Sequence, residues 1–134
     1  MKVKPQKNNT ERIFSGAPWE KDYGYCRALK RGNFLFISGT VDLQAKKNPS
    51  KSAGDQMASI LNQIESLIQT LGFSRQDIVR TRIYILDRRD SEEVGMAHGK
   101  FFKNAEPATS MIIVSGFIEE AYKVEVEFQA LLPS

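Results

Sequence analysis

The sequence predicts an α+β fold, a mixed β-sheet with two helices packed on one face, and three observations carry that prediction. From Met57 to Leu71, apolar residues recur at three- and four-residue steps, which places them on one stripe of a helix. Near the C-terminus Val124, Val126, Phe128 and Ala130 alternate with Lys123, Glu125, Glu127 and Gln129, the period of a strand with one buried side. Between Tyr25 and Gly39, the dipeptide Gly32-Asn33 separates two β-like runs at the spacing of a tight hairpin.

Taken in order, residues 1–10 are polar and are expected to be disordered. Arg12–Gly16 is a short strand, and the stretch APWEKDYG after it, with Pro18 and Gly24, is expected to be a loop. The hairpin follows, then a polar loop over Ala45–Gly54. Ser52 and Asp55 suit the first turn of the long helix, and Gly72 suits its end. Asp77–Asp87 alternates with period two, sending Val79, Thr81, Ile83 and Ile85 one way and Arg80, Arg82 and Tyr84 the other. Ser91, Glu92 and Glu93 open a second helix that carries Val94, Ala97 and Phe101 on its apolar face. Gly95 and Gly99 cost that helix about 1 kcal/mol each relative to alanine, so close packing on the sheet is expected there. Thr109–Gly116 and Tyr122–Leu132 are the last strands, giving the order β-β-β-α-β-α-β-β in a single domain over residues 1–134. The sheet face away from the helices mixes Tyr, Arg, Ser, Met and Glu. Such a face is too apolar for water and too polar for a core, which predicts burial against another subunit and hence a homo-oligomer.

Composition narrows the function classes. With 134 residues and 41% apolar content, the chain can bury one core. Nineteen basic against 16 acidic residues leave a net charge of +3, too small and too dispersed to imply a nucleic-acid partner. One cysteine, Cys26, forms no internal disulfide, and one histidine, His98, supplies no metal-ligand set, so no metal is expected. No segment approaches the roughly 20 apolar residues of a membrane-spanning helix, and a cytoplasmic protein without a membrane partner is the expectation.

No nucleophile-and-base motif, phosphate-binding glycine loop or cysteine pair is present. Ser38 and Ser115 each precede a glycine at the end of an apolar run; they are turn serines or they face a ligand. Glu125 and Glu127 share one strand side, as ion-pair partners or as an acid–base pair. His98 packs, or moves a proton if a carboxylate lies beside it. Arg80 and Arg82 form intersubunit ion pairs or, with Tyr84, a short RNA-binding stripe. Trp19 covers a pocket or packs its loop.

The series YGYCRALKRGNFLFISGTV, GFSRQDIVRTRIYILD, VGMAHGKFF, EPATSMIIVSG and YKVEVEFQAL, spanning Tyr23 to Leu132, resembles the RidA/YjgF family, also described as endoribonuclease L-PSP. The resemblance implies a chorismate-mutase-like fold and a homotrimer with small-molecule clefts between subunits. It implies hydrolysis of reactive imines and enamines, such as 2-aminoacrylate, to 2-keto acids and ammonia without a cofactor. Residue by residue, it makes Tyr25 and Glu125 the catalytic candidates, with Glu125 orienting water, and assigns Ser38 to substrate binding. Met111 stands where many members have cysteine, and Gly95 where an asparagine is frequent.

Where many members read P-A-R-S, with an arginine that binds the substrate carboxylate, this chain reads Pro107-Ala108-Thr109-Ser110. A hydroxyl in place of a bidentate guanidinium loses about 3 kcal/mol of transition-state binding, a hundredfold in rate. Arg27, on the same strand side as Tyr25, is the candidate to restore the charge. Two functions follow: a hydrolase whose substrate lacks or differently presents the carboxylate, with Ser38, Thr109, Met111 and Arg27 contacting it, or a non-catalytic metabolite-binding trimer. A ribonuclease, lacking a histidine pair, is the weakest reading.

Overall fold

The computed structural model describes residues 1–6 and 8–134. Among them the strands are β1 (Lys2–Gln6), β2 (Thr10–Phe14), β3 (Ala28–Arg31), β4 (Phe34–Thr40), β5 (Ile78–Ile85), β6 (Ala108–Ile113) and β7 (Val124–Leu131). The α-helices are α1 (Pro18–Tyr23), α2 (Ala53–Thr70) and α3 (Ser91–Phe101). The strands form one sheet in the order β1-β2-β3-β4-β7-β5-β6. Every pairing is antiparallel except β5 with β6, the parallel pair that α3 connects. Among the described residues no helix is long and apolar enough to cross a membrane.

The core lies between α2, α3 and one face of the sheet. Helix α2 begins where the Ser52 hydroxyl accepts the Asp55 N–H at 3.1 Å, and it buries Met57, Ile60, Leu61, Ile64, Leu67 and Ile68. Gly72, at φ 83°, turns the chain out of the helix in a conformation that favours glycine. Strand β7 was inserted last in sequence but sits centrally, between β4 and β5. Its Val124, Val126, Phe128 and Ala130 are buried, and Glu125, Glu127 and Gln129 occupy the opposite, helix-free side.

Four expectations are corrected. Lys2–Gln6 is an edge strand paired with β2 rather than a disordered start, because Asn8 and Asn9 take the positive φ (67° and 58°) that asparagine tolerates between two strands. Lys7, in the same stretch, lies outside the described residues. The segment after Phe14 contains a helix, α1, because Pro18 stands at its first turn and Gly24 ends it in left-handed geometry at φ 77°. In β5 the strict alternation breaks: Ile78 faces Ala130 and Arg80 faces Gln129, leaving Val79 as an extra, bulged residue, 45% exposed, while Ile78 and Thr81 are both buried. Close packing does not account for the α3 glycines, since a methyl group on Gly95 would meet only Met111 Cε at 3.8 Å and one on Gly99 would meet nothing within 4 Å.

Candidate active site

A second bulge builds the site. Ile37 pairs with Phe128 and Thr40 with Val126, so Ser38 and Gly39 together oppose the one residue Glu127. The bulge turns the strand just where the Ser-Gly pair interrupts its apolar run. Ser38 is tied down at both ends, its N–H donating to Arg27 O at 3.0 Å and its hydroxyl to Cys26 O at 2.7 Å. Arg27 Nη2 donates to Gly39 O at 2.6 Å, and its Nε is buried without a hydrogen-bond partner.

Glu125 reaches across from β7 and lies over Gly39. A methyl group built on Gly39 would collide with Glu125 Oε2, so only a glycine leaves room for the carboxylate in this position. Burial pushes the Glu125 carboxyl above the usual carboxylate range, Arg27 pulls it back down, and Glu127 adds to the rise. Glu127 is itself engaged, accepting from the Tyr84 hydroxyl at 2.6 Å, and that bond is the first cause of the raised Tyr84 pKa. Beside these groups a cavity of about 230 Å³ is lined by Cys26, Phe36, Ser38, Arg80, Arg82 and Glu127. Burial holds the Cys26 thiol above its ordinary pKa, which keeps it a thiol rather than a thiolate. Tyr25 lies just ahead of β3, anchored through its N–H to Glu20 O at 2.9 Å, and no side-chain hydrogen bond joins it to Glu125.

Thr109 and Met111 belong elsewhere in the monomer. β5 and β6 pair in parallel with Thr81 opposite Thr109 and Ile83 opposite Met111, so both residues share the helix-side face of the sheet. Glu125, opposite Tyr84, is on the other face. One chain therefore brings Arg27, Ser38, Gly39 and Glu125 together and does not bring Thr109 or Met111 to them. At the β6 edge, Thr109 Oγ1 lies 3.0 Å from Pro107 O and 2.8 Å from Thr81 Oγ1, and Thr81 Oγ1 lies 2.9 Å from His98 Nε2. The His98 ring also packs against Phe102 at 4.6 Å, and burial lowers its pKa.

Sequence reasoning missed three participants. Gly39 was legible only as part of a strand-end motif, because the carboxylate above it comes from 86 residues further on. Thr81 alternates like any core residue, and nothing local marks it as a bridge to His98. Glu20, in the helix α1 that was expected to be a loop, is buried and accepts from both the N–H and the hydroxyl of Ser15.

The family model described as endoribonuclease L-PSP matches residues 17–132. This chain belongs to that family, the RidA/YjgF family. Residues 1–16, with β1 and β2, lie outside the match. Among relatives, the chain is 31% identical over 122 residues to the uncharacterized protein SCO2049 of Streptomyces coelicolor, covering 89% of this chain and 90% of that one. It is 27% identical over 105 residues to the RutC family protein PH0854 of Pyrococcus horikoshii, covering 77% and 82%. Among solved structures it is similar to Rv2704 of Mycobacterium tuberculosis, a member of the YjgF/YER057c/UK114 family, with TM-score 0.81, 30% identity and 92% and 99% coverage. Yeast Mmf1, at 18% identity, TM-score 0.75 and 98% and 100% coverage, shares the fold. The family's α+β sheet is thus the one predicted from the alternating patterns, with α1 as a third helix.

Proposed function

We propose that this protein is a cofactor-free hydrolase of a small imine, enamine or related carbonyl metabolite, and that it works as a homotrimer. In this reading a neighbour's β6 edge, with Thr109 and Met111, meets the helix-free face carrying Glu125, Arg27, Ser38 and Tyr25, and the cleft lies between them. The supporting observation is the desolvated Glu125 carboxylate, seated on Gly39 and facing Arg27. A carboxylate with a raised pKa is a better base, and its position is fixed in advance. Water held by Glu125 attacks the carbon of the protonated C=N group as one water proton passes to Glu125 and the π electrons go to nitrogen, giving a neutral carbinolamine. Glu125 returns that proton to the amino nitrogen, and the C–N bond breaks with its electron pair leaving on ammonia while the hydroxyl proton passes to Glu125 and the carbonyl forms. Tyr25 closes the pocket, Ser38 and Thr109 hydrogen-bond the ligand, and Met111 lines it.

A second copy is favoured by the exposed apolar surface at both proposed contact regions. Phe34 and Phe36, 53% and 45% exposed, stack on each other at 6.3 Å on the helix-free face, and Ile112 and Ile113 are exposed on β6. The expected solution mass is three times 15.2 kDa, measured by light scattering after gel filtration, and a mass of one chain overturns the cleft. The uncharged Thr109 favours a second reading, a metabolite-binding trimer without turnover. Ammonia release from enzymatically generated 2-aminoacrylate separates the two. Activity in the parent that is lost in Glu125→Gln supports the hydrolase. An inactive parent rescued by Thr109→Arg supports a repurposed binding cleft.

A further inference from the structure

We propose that His98, acting through Thr81, fixes the Thr109 hydroxyl as a hydrogen-bond acceptor, so that the ligand group received at β6 carries an N–H or O–H donor rather than a carboxylate. The inference rests on the cleft reading above and names the chemistry that this side of the cleft selects.

Three contacts form a chain: Pro107 O to Thr109 Oγ1 at 3.0 Å, Thr109 Oγ1 to Thr81 Oγ1 at 2.8 Å, and Thr81 Oγ1 to His98 Nε2 at 2.9 Å. Each hydroxyl has one proton to give, and a backbone carbonyl only accepts. The Thr109 proton must therefore go to Pro107 O, the Thr81 proton to Thr109, and the proton between Thr81 and the ring must sit on His98 Nε2. Any other assignment leaves one contact with no proton in it. Thr81 is 0% exposed, so water cannot repair a missing bond there. Burial of His98 favours the neutral ring, whose one N–H is then at Nε2 and whose Nδ1 is bare.

The exposed end of the chain is Thr109, on a strand that is otherwise open to solvent. Its proton is turned inward to Pro107 O, and one of its two lone pairs is taken by Thr81. What it offers a ligand is the remaining lone pair. An amine, iminium, amide or hydroxyl donates to that lone pair, whereas a carboxylate oxygen set against it meets acceptor with acceptor. His98 and Thr81 touch no ligand in this scheme and are positioning residues.

The chain has one histidine, so the ring nitrogens of a 15N-histidine-labelled sample give an unambiguous spectrum. The expected result is the Nε2–H tautomer, lost in Thr81→Val and restored in Thr81→Ser. The matched pair propionamide and propionate, titrated against a Thr109-methyl signal, reads the selectivity. Propionamide is expected to bind roughly tenfold more tightly in the wild type, and the preference to collapse in Thr81→Val. Should Thr81→Val fail to fold, the wild-type tautomer and the wild-type pair still decide. An Nδ1–H tautomer overturns the relay. Equal or tighter binding of propionate overturns the selectivity, and silence from both compounds overturns the cleft reading beneath it while leaving the tautomer result intact.

Discussion

The two faces of β7 are written by the same eight residues in opposite phase, and they obey different rules. On the helix side, Val124, Val126, Phe128 and Ala130 are closed off from water by α2 and α3, and stability is their only visible task. On the helix-free side, Glu125, Glu127 and Gln129 are half-buried among Arg27, Tyr84 and the β4 bulge, with polar groups that a hydrophobic core would not tolerate. The contrast teaches that a face can be desolvated enough to shift a carboxyl pKa without being core. Its energetic cost is carried by the packing on the other side of the same strand.

The largest expected effect breaks the helix side. Phe128→Ala should cost about 3–5 kcal/mol in chemical denaturation, from lost burial plus the cavity left behind, while Gln129→Ala, one residue away, should stay within about 0.5 kcal/mol. Comparable losses at both positions would erase the distinction between the faces.

Next comes the chemistry of the other face. Under the hydrolase proposal, Glu125→Gln keeps shape and removes the proposed base, so ammonia release should fall by about 10²- to 10⁴-fold with the melting transition still cooperative. Gly39→Ala tests the seat of the carboxylate: the added methyl must push Glu125 Oε2 aside, and a displacement of that kind costs up to about 10²-fold in rate. Combined with Glu125→Gln, the Gly39 substitution should add little, because the group it displaces is no longer a base.

The smallest effect is the pH dependence of stability. The folded state raises the Glu125 pKa above its ordinary value of 4.5, so over the interval between the two the folded chain holds the proton that the unfolded chain releases. Its contribution to stability is therefore present below 4.5 and is lost as pH rises through the folded-state pKa. Glu125→Gln should flatten that slope and leave the protein slightly more stable at neutral pH, read as thermal midpoints across a pH series. A steeper slope in the variant would place the cause elsewhere.

Much of the fold could be read from local pattern. The α2 stripe from Met57 to Leu71, the Gly32 turn and the alternation of β7 each record one face of one element, and a period of 3.6 or 2 survives in sequence whatever the neighbours are. Helix α1 was not legible because its start signal, Pro18, is also a loop signal, and the decision depends on Gly24 closing six residues later. The phase of β5 is not legible around Val79, because the bulge there is visible only in the pairing with β7.

For the site, residue identities alone nominated Glu125 and Ser38, and the resemblance added Tyr25, Thr109, Met111 and, as the replacement charge, Arg27. Only the tertiary structure decided which of them meet. Gly39 lies under Glu125, and Thr109 reaches His98 through Thr81, because strands distant in sequence pair in one register. A chain written in one dimension fixes the periodicity of each element through its own backbone geometry. The register between elements, which sends Thr109 and Glu125 to opposite faces, is set by packing and hydrogen bonding that no single segment contains.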